Sequence, residues 1–208
     1  WQMPHKRYTI CTLLSTIQPR CQYQALNRTK VFIATMNLIQ WISRQAEYKP
    51  AWLLLFLSAA GLLSAALYFQ HVNGLQPCVM CIYQRTAVIG ILLSGLLVVI
   101  VNHGLTRMLA FAGWAVSSVW GFMIAREQYD IIHSTSLFAS CEIVPNFPSF
   151  MPLYDWLPAI FEAKGDCLDD GWRVAGLGMP EWMMVIFGIY AAVFVIVFGC
   201  RLLDKKPF

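Results

Sequence analysis

Four long apolar runs dominate the pattern of hydrophobic and polar positions along the chain. Each approaches the roughly 20 apolar residues that an α-helix needs to cross the hydrocarbon core of a bilayer. The runs cover Trp52–Phe69, Ile82–Val101, Met108–Ala125 and Trp182–Cys200. They predict an all-α membrane protein, a four-helix transmembrane bundle in which small residues four positions apart allow close helix contact. These small residues are Gly61 and Ala65, and Gly113, Ser117 and Gly121.

Composition agrees with a membrane protein and argues against two other classes. The 208 residues are 58% hydrophobic and only 12% charged, so a fully hydrated surface is not expected. A net charge of +4 is too modest to indicate a nucleic-acid-binding protein. The sequence has no phosphate-cradling glycine motif and no solenoid repeat, which leaves nucleotide chemistry without support.

Basic residues indicate how the bundle is oriented, because Lys and Arg near the ends of spans are retained in the cytoplasm. They cluster before the first span, between the second and third, and after the fourth, as Arg44, Lys49, Arg107, Arg201, Lys205 and Lys206. The stretch between the third and fourth spans is mainly acidic, so we expect it to be external. The sequence thus predicts a cytoplasmic segment 1–50, a four-span domain 51–203 with external loops at about 70–77 and 128–179, and a cytoplasmic tail 204–208.

This topology sorts the seven cysteines by compartment, since disulfides persist outside the cytosol while cytosolic thiols stay reduced. The cytoplasmic side holds Cys11, Cys21 and Cys200, and the external side holds Cys78, Cys81, Cys141 and Cys167. We assign no role to the three cytoplasmic cysteines. A zinc site formed by the external four is disfavoured, because they do not fall into two close pairs.

Cys78 and Cys81 form a CxxC pair where a polar connector enters the second span. At a helix start the sulfurs face the positive end of the backbone dipole, which lowers the thiol pKa and makes the thiolates reactive. A structural bridge explains this pair poorly, because so small a ring gains little from loop closure and is often strained. For Cys141 and Cys167 both interpretations stay open, since a bridge there would stabilise by roughly 3.5 kcal/mol.

Arg85 follows Cys81 by one helical turn and shares its helix face. Placing a guanidinium within a spanning helix costs on the order of 3 kcal/mol of free energy at mid-membrane, so we expect something in the protein to compensate this cost. Arg85 is placed to stabilise a thiolate or the negative charge that develops on a reduced carrier. Snorkelling towards the lipid headgroups is the alternative.

The long external loop carries an amphipathic stripe at helical spacing, formed by Leu153, Trp156, Leu157, Ile160 and Phe161. Pro158 interrupts the stripe, which favours two short helical turns lying on the membrane surface. A cap packed on the bundle is the alternative.

Taken in order, the cysteine motifs and their surroundings resemble the DsbB family, the disulfide bond oxidases of bacterial inner membranes. The similar landmarks are Phe69-Gln70-His71-Val72, Pro77-Cys78-Val79-Met80-Cys81-Ile82-Tyr83-Gln84-Arg85, Phe138-Ala139-Ser140-Cys141, Gly165-Asp166-Cys167 and Gly178-Met179-Pro180-Glu181-Trp182. The resemblance extends from about Ala51 to the C-terminal end.

This resemblance implies a relay of electrons through two cysteine pairs. A periplasmic thioredoxin-fold partner of the DsbA type is reoxidised by the protein, and the electrons pass to a membrane quinone, either ubiquinone or menaquinone. The partner thiolate would attack the Cys141–Cys167 bridge at Cys141, and the Cys78–Cys81 pair would reoxidise the loop. Cys81 would lie nearest the quinone ring.

The resemblance also implies a quinone pocket to which Arg85, Gln128 and Met179 contribute, with Arg85 polarising a carbonyl. Some members of the family have a histidine where Gln128 aligns. Glutamine can donate a hydrogen bond but does not titrate near neutral pH, which makes proton delivery by this residue doubtful. Simple interfacial packing is the alternative role for Met179. Pro180 and Glu181 are typical of the first turn of the fourth helix.

Two functional alternatives remain open, as does the N-terminus. A non-enzymatic four-span scaffold with structural external disulfides would have inert cysteines. A vitamin K epoxide reductase-like enzyme would place its CxxC late in the bundle rather than at the second span. Counting back from the first span, Met36 gives an N-terminus of family length, so we expect residues 1–35 to be translated leader or a disordered extension.

Overall fold

A computed structural model describes residues 34, 36–133, 156–161, 163–165 and 173–204. Four long helices form the body of this part of the chain: α1 Lys49–His71, α2 Val79–Ile100, α3 Gly104–His133 and α4 Met179–Leu203. All four are long and apolar enough to cross a membrane. The predicted all-α membrane protein with four spans is therefore confirmed.

Two smaller elements lie between α3 and α4 along the chain. A helical turn covers Pro158–Phe161, and strands β1 Arg173–Val174 and β2 Leu177–Gly178 form an antiparallel hairpin. The hairpin turns through Gly176, whose positive φ of 83° suits a residue without a side chain. Strands of two residues are too short to leave a periodic pattern, so the sequence did not predict the hairpin.

Helix α3 shows the largest difference from the predicted boundaries. It continues for eight residues beyond Ala125, to His133, so residue 128 lies within the helix rather than at the start of the external loop. The extension is held to the bundle because Gln128 is buried and hydrogen bonded to Gln84 of α2. The hydropathy pattern ends earlier because this last part of α3 carries charged residues on its outer face.

The helices pack in chain order, α1 on α2, α2 on α3 and α3 on α4, whereas α1 and α4 have little direct contact. An aromatic cluster nevertheless links three helices. Trp52 of α1 lies 4.9 Å from Phe111 of α3, and Trp114 lies 5.6 Å from Phe194 of α4, measured between ring centroids. Edge-to-face contacts of this kind add to the stabilisation from apolar burial.

The end of the bundle where α1 begins and α4 ends, called the far end below, is closed by polar contacts. The buried Arg201 lies 3.7 Å from the carboxylate of Glu47. Ser43 donates a hydrogen bond of 3.0 Å to Asp204, and Asn102 donates one to the backbone carbonyl of Glu47. These contacts join α4 and the α2–α3 connection to the segment that precedes α1.

Small residues on α3 allow close packing, as the sequence predicted. A Cβ atom at Gly113 would lie 2.5 Å from Ser94 Oγ of α2, and one at Gly121 would overlap the Phe187 ring of α4. Ser117 packs against Gly90. The corresponding prediction for α1, a close helix contact at Gly61 and Ala65, was wrong.

Gly61 and Ala65 are exposed on α1, and a Cβ atom at Gly61 would meet no atom within 4 Å. The close approach to α1 occurs at Gly95 of α2 instead. A Cβ atom there would lie 2.9 Å from the Phe56 nitrogen and 3.0 Å from the Trp52 carbonyl oxygen. The spacing of small residues did not reveal which face of α1 meets its neighbour.

Replacing Gly95 with alanine should therefore loosen the α1–α2 contact. Because the new methyl group meets backbone atoms that cannot rotate away, we expect a loss of about 1–3 kcal/mol in the free energy of unfolding. Unfolding in mixed micelles of increasing dodecyl sulfate content, followed by circular dichroism, measures this. Gly61→Ala is the matched control and should not destabilise the protein; equal losses in both variants would contradict the packing described here.

Candidate functional site

The two cysteines of the CxxC motif lie at the start of α2. Cys78 is the N-cap residue, and its sulfur accepts a hydrogen bond of 3.3 Å from the backbone N–H of Cys81. The two sulfur atoms lie 2.8 Å apart, and both residues are free cysteines. Cys78 is buried and Cys81 is partly exposed. The helix start thus holds two thiols close enough to be interconverted with a disulfide by a small movement.

The environment acts on Cys78 in the direction opposite to the sequence prediction. Its hydrogen bond to Cys81, together with burial, raises the pKa of the Cys78 thiol. The predicted lowering by the helix dipole is therefore wrong for this residue, because sharing a hydrogen with the neighbouring sulfur and losing water outweigh the dipole.

Two buried glutamines lie behind the sulfur pair. Gln84 of α2 donates a hydrogen bond of 2.8 Å to the side-chain oxygen of Gln128 of α3. The side-chain nitrogen of Gln128 then faces Cys78 Sγ at 3.5 Å and Cys81 Sγ at 3.8 Å. The predicted site residue Gln128 is thus a neighbour of both sulfurs.

Arg85 is buried, with 6% of its surface exposed, and is bound by two oxygen atoms. Its Nη1 donates a hydrogen bond of 2.8 Å to the side-chain oxygen of Gln70 and a second one to the backbone carbonyl of Ile160. Gln70 lies in the last turn of α1, and Ile160 belongs to the turn between α3 and α4. The guanidinium therefore joins three parts of the chain, and it does not snorkel to the headgroups.

The segment after this turn is also attached to the start of α2. The backbone N–H groups of Lys164 and Gly165 donate hydrogen bonds of 3.1 and 3.0 Å to the carbonyl of Pro77, directly before Cys78. A Cβ atom at position 165 would overlap the carbonyl of Gln76. Only glycine allows this approach.

The turn and the two residues before it are amphipathic. Phe161 is buried, while Trp156 and Leu157 are exposed. Trp156 is helical, Leu157 is not, and Pro158 begins the next helical turn, in keeping with the predicted interruption of the stripe and with the tolerance of helix starts for proline. Leu153, the first residue of the predicted stripe, lies outside the described residues. The buried side of this segment packs on the bundle beside Arg85, which bonds the Ile160 carbonyl.

A cavity of about 240 Å³ opens beside Cys81 between α1, α2 and α4. Its wall is mostly apolar and includes Phe69, Cys81, Gln84, Arg85, Met179 and Trp182. A larger cavity of about 570 Å³ lies towards the far end along the gap between α1 and α4. Leu62 and Ile186 line both cavities, so the two adjoin along this gap.

The cavity brings together two of the three predicted quinone-site residues. Arg85 and Met179 line it, and Gln128 does not, because it lies on the other side of the sulfurs. Met179 is the first residue of α4, whose start is fixed by Pro180 and by the Glu181 carboxylate, which accepts a hydrogen bond from the Gly178 N–H. The predicted first turn of the fourth helix is thus confirmed.

The second predicted pair, Cys141 and Cys167, lies outside the described residues. Within the described ranges, no three His, Cys, Asp or Glu side chains are grouped as ligands for a metal ion. Cys200 is a free cysteine at the far end of the bundle. His133 bonds the carbonyl of Tyr129 in its own helix.

Three contributors to the site were not predicted from the sequence: Gln70, Gln84 and the Ile160 carbonyl. Gln84 carried a usable signal, since a polar residue between Cys81 and Arg85 on one face of an apolar helix calls for a partner. The sequence held no signal for Gln70 or Ile160 as acceptors of Arg85, because any nearby oxygen atom can accept a hydrogen bond from a guanidinium. Their identity depends on how the connections fold back on the bundle.

Fold and site together define a multi-pass membrane protein with a dithiol at one end of a four-helix bundle. Comparison with known proteins gives the family. The profile described as disulfide bond formation protein DsbB matches residues 48–197. The chain therefore belongs to the DsbB family.

Individual relatives extend the match over most of the chain. The chain is 49% identical over 167 residues to the disulfide bond formation protein B of Pseudoalteromonas atlantica, covering 80% of this chain and 98% of the relative. It is 47% identical to the protein of that name from Pseudoalteromonas translucida, covering 81% and 99%. The protein of that name from Idiomarina loihiensis is 49% identical over 161 residues, covering 76% and 88%.

Replacing Arg85 with leucine should release the turn from the bundle, because the Ile160 carbonyl loses its charged donor. Loss of such hydrogen bonds should raise the rate of trypsin cleavage after Lys164 about tenfold. Digestion in lipid nanodiscs with mass-spectrometric mapping measures this rate. Arg126→Leu removes a basic residue from the exposed outer part of α3 and should leave cleavage at Lys164 unchanged. Protection of Lys164 in the Arg85 variant would show that the turn is held by other contacts.

Proposed function

We propose that this protein is a quinone-dependent protein-disulfide oxidase that reoxidises a periplasmic thioredoxin-fold partner of the DsbA type. The observation that carries the proposal is the cavity beside the dithiol, where Cys81 and Arg85 share an apolar wall. Such a cavity offers a lipid-soluble carrier direct access to a sulfur atom. The family, whose members are described as disulfide bond formation proteins, supports the same chemistry.

The proposed reaction is a series of thiol–disulfide exchanges in which each bond broken is matched by one formed. The two thiols of the partner reduce the Cys141–Cys167 bridge and become a disulfide. The resulting loop thiols reduce the Cys78–Cys81 bridge in the same way. The Cys78–Cys81 dithiol then returns to a disulfide, giving up two electrons and two protons to the carrier.

The residues around the cavity fit a quinone head group. Apolar side chains suit its ring, and the Arg85 guanidinium, held by Gln70 and the Ile160 carbonyl, supplies positive charge beside the wall formed by Cys81. A quinone bound here would accept the two electrons and two protons that leave the dithiol. The larger cavity and the gap between α1 and α4 offer a lateral route from the bilayer.

A quinone also satisfies the energetic direction of the relay. A partner with a potential near −120 mV, as for DsbA, is a strong oxidant, and its reoxidation requires a still more oxidising acceptor. The glutathione pool is too reducing for this task. A membrane quinone is the remaining class of carrier that reaches a cavity between spanning helices.

Attachment of Gly165 to the start of α2 supports exchange between the two cysteine pairs. Gly165 is bonded to the Pro77 carbonyl, next to Cys78, and Cys167 follows it by only two residues. Two residues of chain span at most about 7 Å. The described part of the loop therefore provides a short tether between one proposed pair and the other.

We further propose that the protein lies in the bacterial inner membrane with its dithiol end towards the periplasm and its far end in the cytoplasm. Basic residues are concentrated at the far end: Arg44 precedes α1, Lys49 is its first residue, Arg107 lies in the first turn of α3, and Arg201 lies in the last turn of α4. Retention of such residues in the cytoplasm supports this orientation. Both termini would then be cytoplasmic, and disulfide chemistry would occur in an oxidising compartment.

Purified protein in lipid nanodiscs, given a reduced thioredoxin-fold partner and a quinone, should lose quinone one-for-one with partner disulfide formed. Cys78→Ser and Cys81→Ser should abolish turnover, because each removes one sulfur of the exchanging pair. Arg85→Met should lower it by about 10–100-fold through loss of a charge at the developing anion. Quinone absorbance and partner thiol titration measure the two sides of the reaction.

Cys200→Ser is the matched control, since this cysteine lies at the far end, and it should turn over normally. A non-enzymatic scaffold predicts no quinone loss with the unaltered protein. That result, or full activity of Cys78→Ser, would refute the proposed oxidase.

Gly165→Val tests the tether. The added side chain overlaps the Gln76 carbonyl, so the loop should detach from the start of α2. Quinone reduction driven by the partner should slow about tenfold, as positioning of the two pairs is lost. Reduction driven by a small dithiol that reaches Cys78–Cys81 directly should be unaffected. Gly199→Val, where a Cβ atom meets nothing within 4 Å, is the control; equal slowing in both variants would argue against a tether.

A further inference from the structure

The two glutamines behind the sulfur pair form an interhelical contact that the electron relay described above does not use. Gln84 is 2% exposed and Gln128 is 3% exposed, and they join α2 to α3. A primary amide within a membrane-spanning bundle loses its hydrogen bonds to water and needs a protein partner. Each amide provides one for the other, but only in certain orientations.

The hydrogen bond between them assigns the two ends of the Gln128 amide. Gln84 donates, so the Gln128 oxygen faces Gln84 as acceptor. The opposite end, the NH₂ group, is then directed at Cys78 Sγ and Cys81 Sγ, at 3.5 and 3.8 Å. An amide turned the other way would present an oxygen, a second acceptor, to sulfur atoms that become negative when they react.

The other donors described near the sulfurs contact one sulfur or other groups. The backbone N–H of Cys81 bonds Cys78 Sγ. Arg85 Nη1 bonds Gln70 and the Ile160 carbonyl, and the positive charge of the guanidinium acts on the pair through space. Among the described side chains, the Gln128 amide is the donor whose nitrogen is within reach of both sulfurs.

We infer that Gln84 is a positioning residue: its amide fixes that of Gln128 with the NH₂ group towards the Cys78–Cys81 pair, where it stabilises the thiolate that reacts. Gln128 touches the reacting atoms, and Gln84 acts through it. The effect on turnover rests on the proposed oxidase function, whereas the effect on thiol reactivity does not.

Gln84→Glu provides a sharp test, because it nearly preserves shape and, once ionised, reverses the hydrogen bond. An ionised carboxylate can only accept, so it should bind the Gln128 NH₂ group and turn the amide oxygen towards the sulfurs, whereas the protonated carboxyl can still donate and should keep the original orientation. Gln84→Leu removes the partner without imposing the reverse orientation. A thiolate that loses a donor and gains an acceptor nearby is less populated and reacts more slowly.

The rate of Cys81 alkylation by a membrane-permeant maleimide measures this effect without quinone or partner. At about pH 9, where the introduced carboxyl is ionised, with the pair reduced and sites mapped by mass spectrometry, we expect about a tenfold decrease for Gln84→Glu and about threefold for Gln84→Leu. Gln84→Glu combined with Gln128→Leu should react like Gln128→Leu alone, because the reversed amide is gone. Alkylation of Cys200 at the far end reports whether each variant is folded.

Thr86→Val is the matched control on the same helix, since its hydroxyl bonds only the Ile82 carbonyl among the contacts described, and its rate should equal that of the unaltered protein. If Gln84 only stabilised the fold, the nearly isosteric Gln84→Glu should slow Cys81 alkylation less than Gln84→Leu does. That order, or a Thr86→Val effect of the same size, would overturn the inference. If the unaltered protein showed no quinone turnover while the alkylation rates of the variants kept the predicted order, only the oxidase proposal would be contradicted.

Discussion

The buried guanidinium of Arg85 is the constraint on which the dithiol end of the bundle depends. A positive charge in a membrane-spanning helix requires oxygen partners, and this one obtains them from Gln70 and the Ile160 carbonyl. Satisfying the charge therefore holds the helical turn Pro158–Phe161 against the bundle. The same fold allows Gly165 to reach the Pro77 carbonyl beside Cys78. One electrostatic requirement thus brings the loop, the cavity and the CxxC motif together.

The gap between α1 and α4 gives the bundle two different ends. At the far end, the aromatic cluster links α1 and α4 through α3, and Arg201 of α4 contacts Glu47 in the segment that precedes α1. Two adjoining cavities open along the gap: the larger lies towards the far end beside Trp52, and the smaller lies beside Cys81. An apolar opening of this kind costs little in lipid, because acyl chains are as apolar as the side chains they contact. The arrangement suits a protein whose electron acceptor diffuses within the bilayer.

The sequence revealed those features that depend on length, composition and local spacing. Four spans follow from hydropathy, and the helix start at Cys78 follows from the change from polar connector to apolar run. Features that depend on helix rotation were not predictable: Gly61 was chosen as a contact, whereas Gly95 makes it. The same holds for Gln84, whose partner lies on another helix, and for the direction of the Cys78 pKa shift, which reflects burial and a neighbouring sulfur rather than the helix dipole.

The site separates two tasks that a single residue could perform elsewhere. Arg85 supplies positive charge. Its described hydrogen bonds go to Gln70 and to the Ile160 carbonyl, so its charge acts on Cys81 from a distance. The Gln128 amide has no charge, yet its nitrogen is directed at both sulfurs. A neutral donor lowers the energy of a thiolate less than a charge does, and it also avoids trapping the sulfur as a tight ion pair. Under the proposed oxidase function, this balance would leave Cys81 nucleophilic enough to react and still able to give up its electrons.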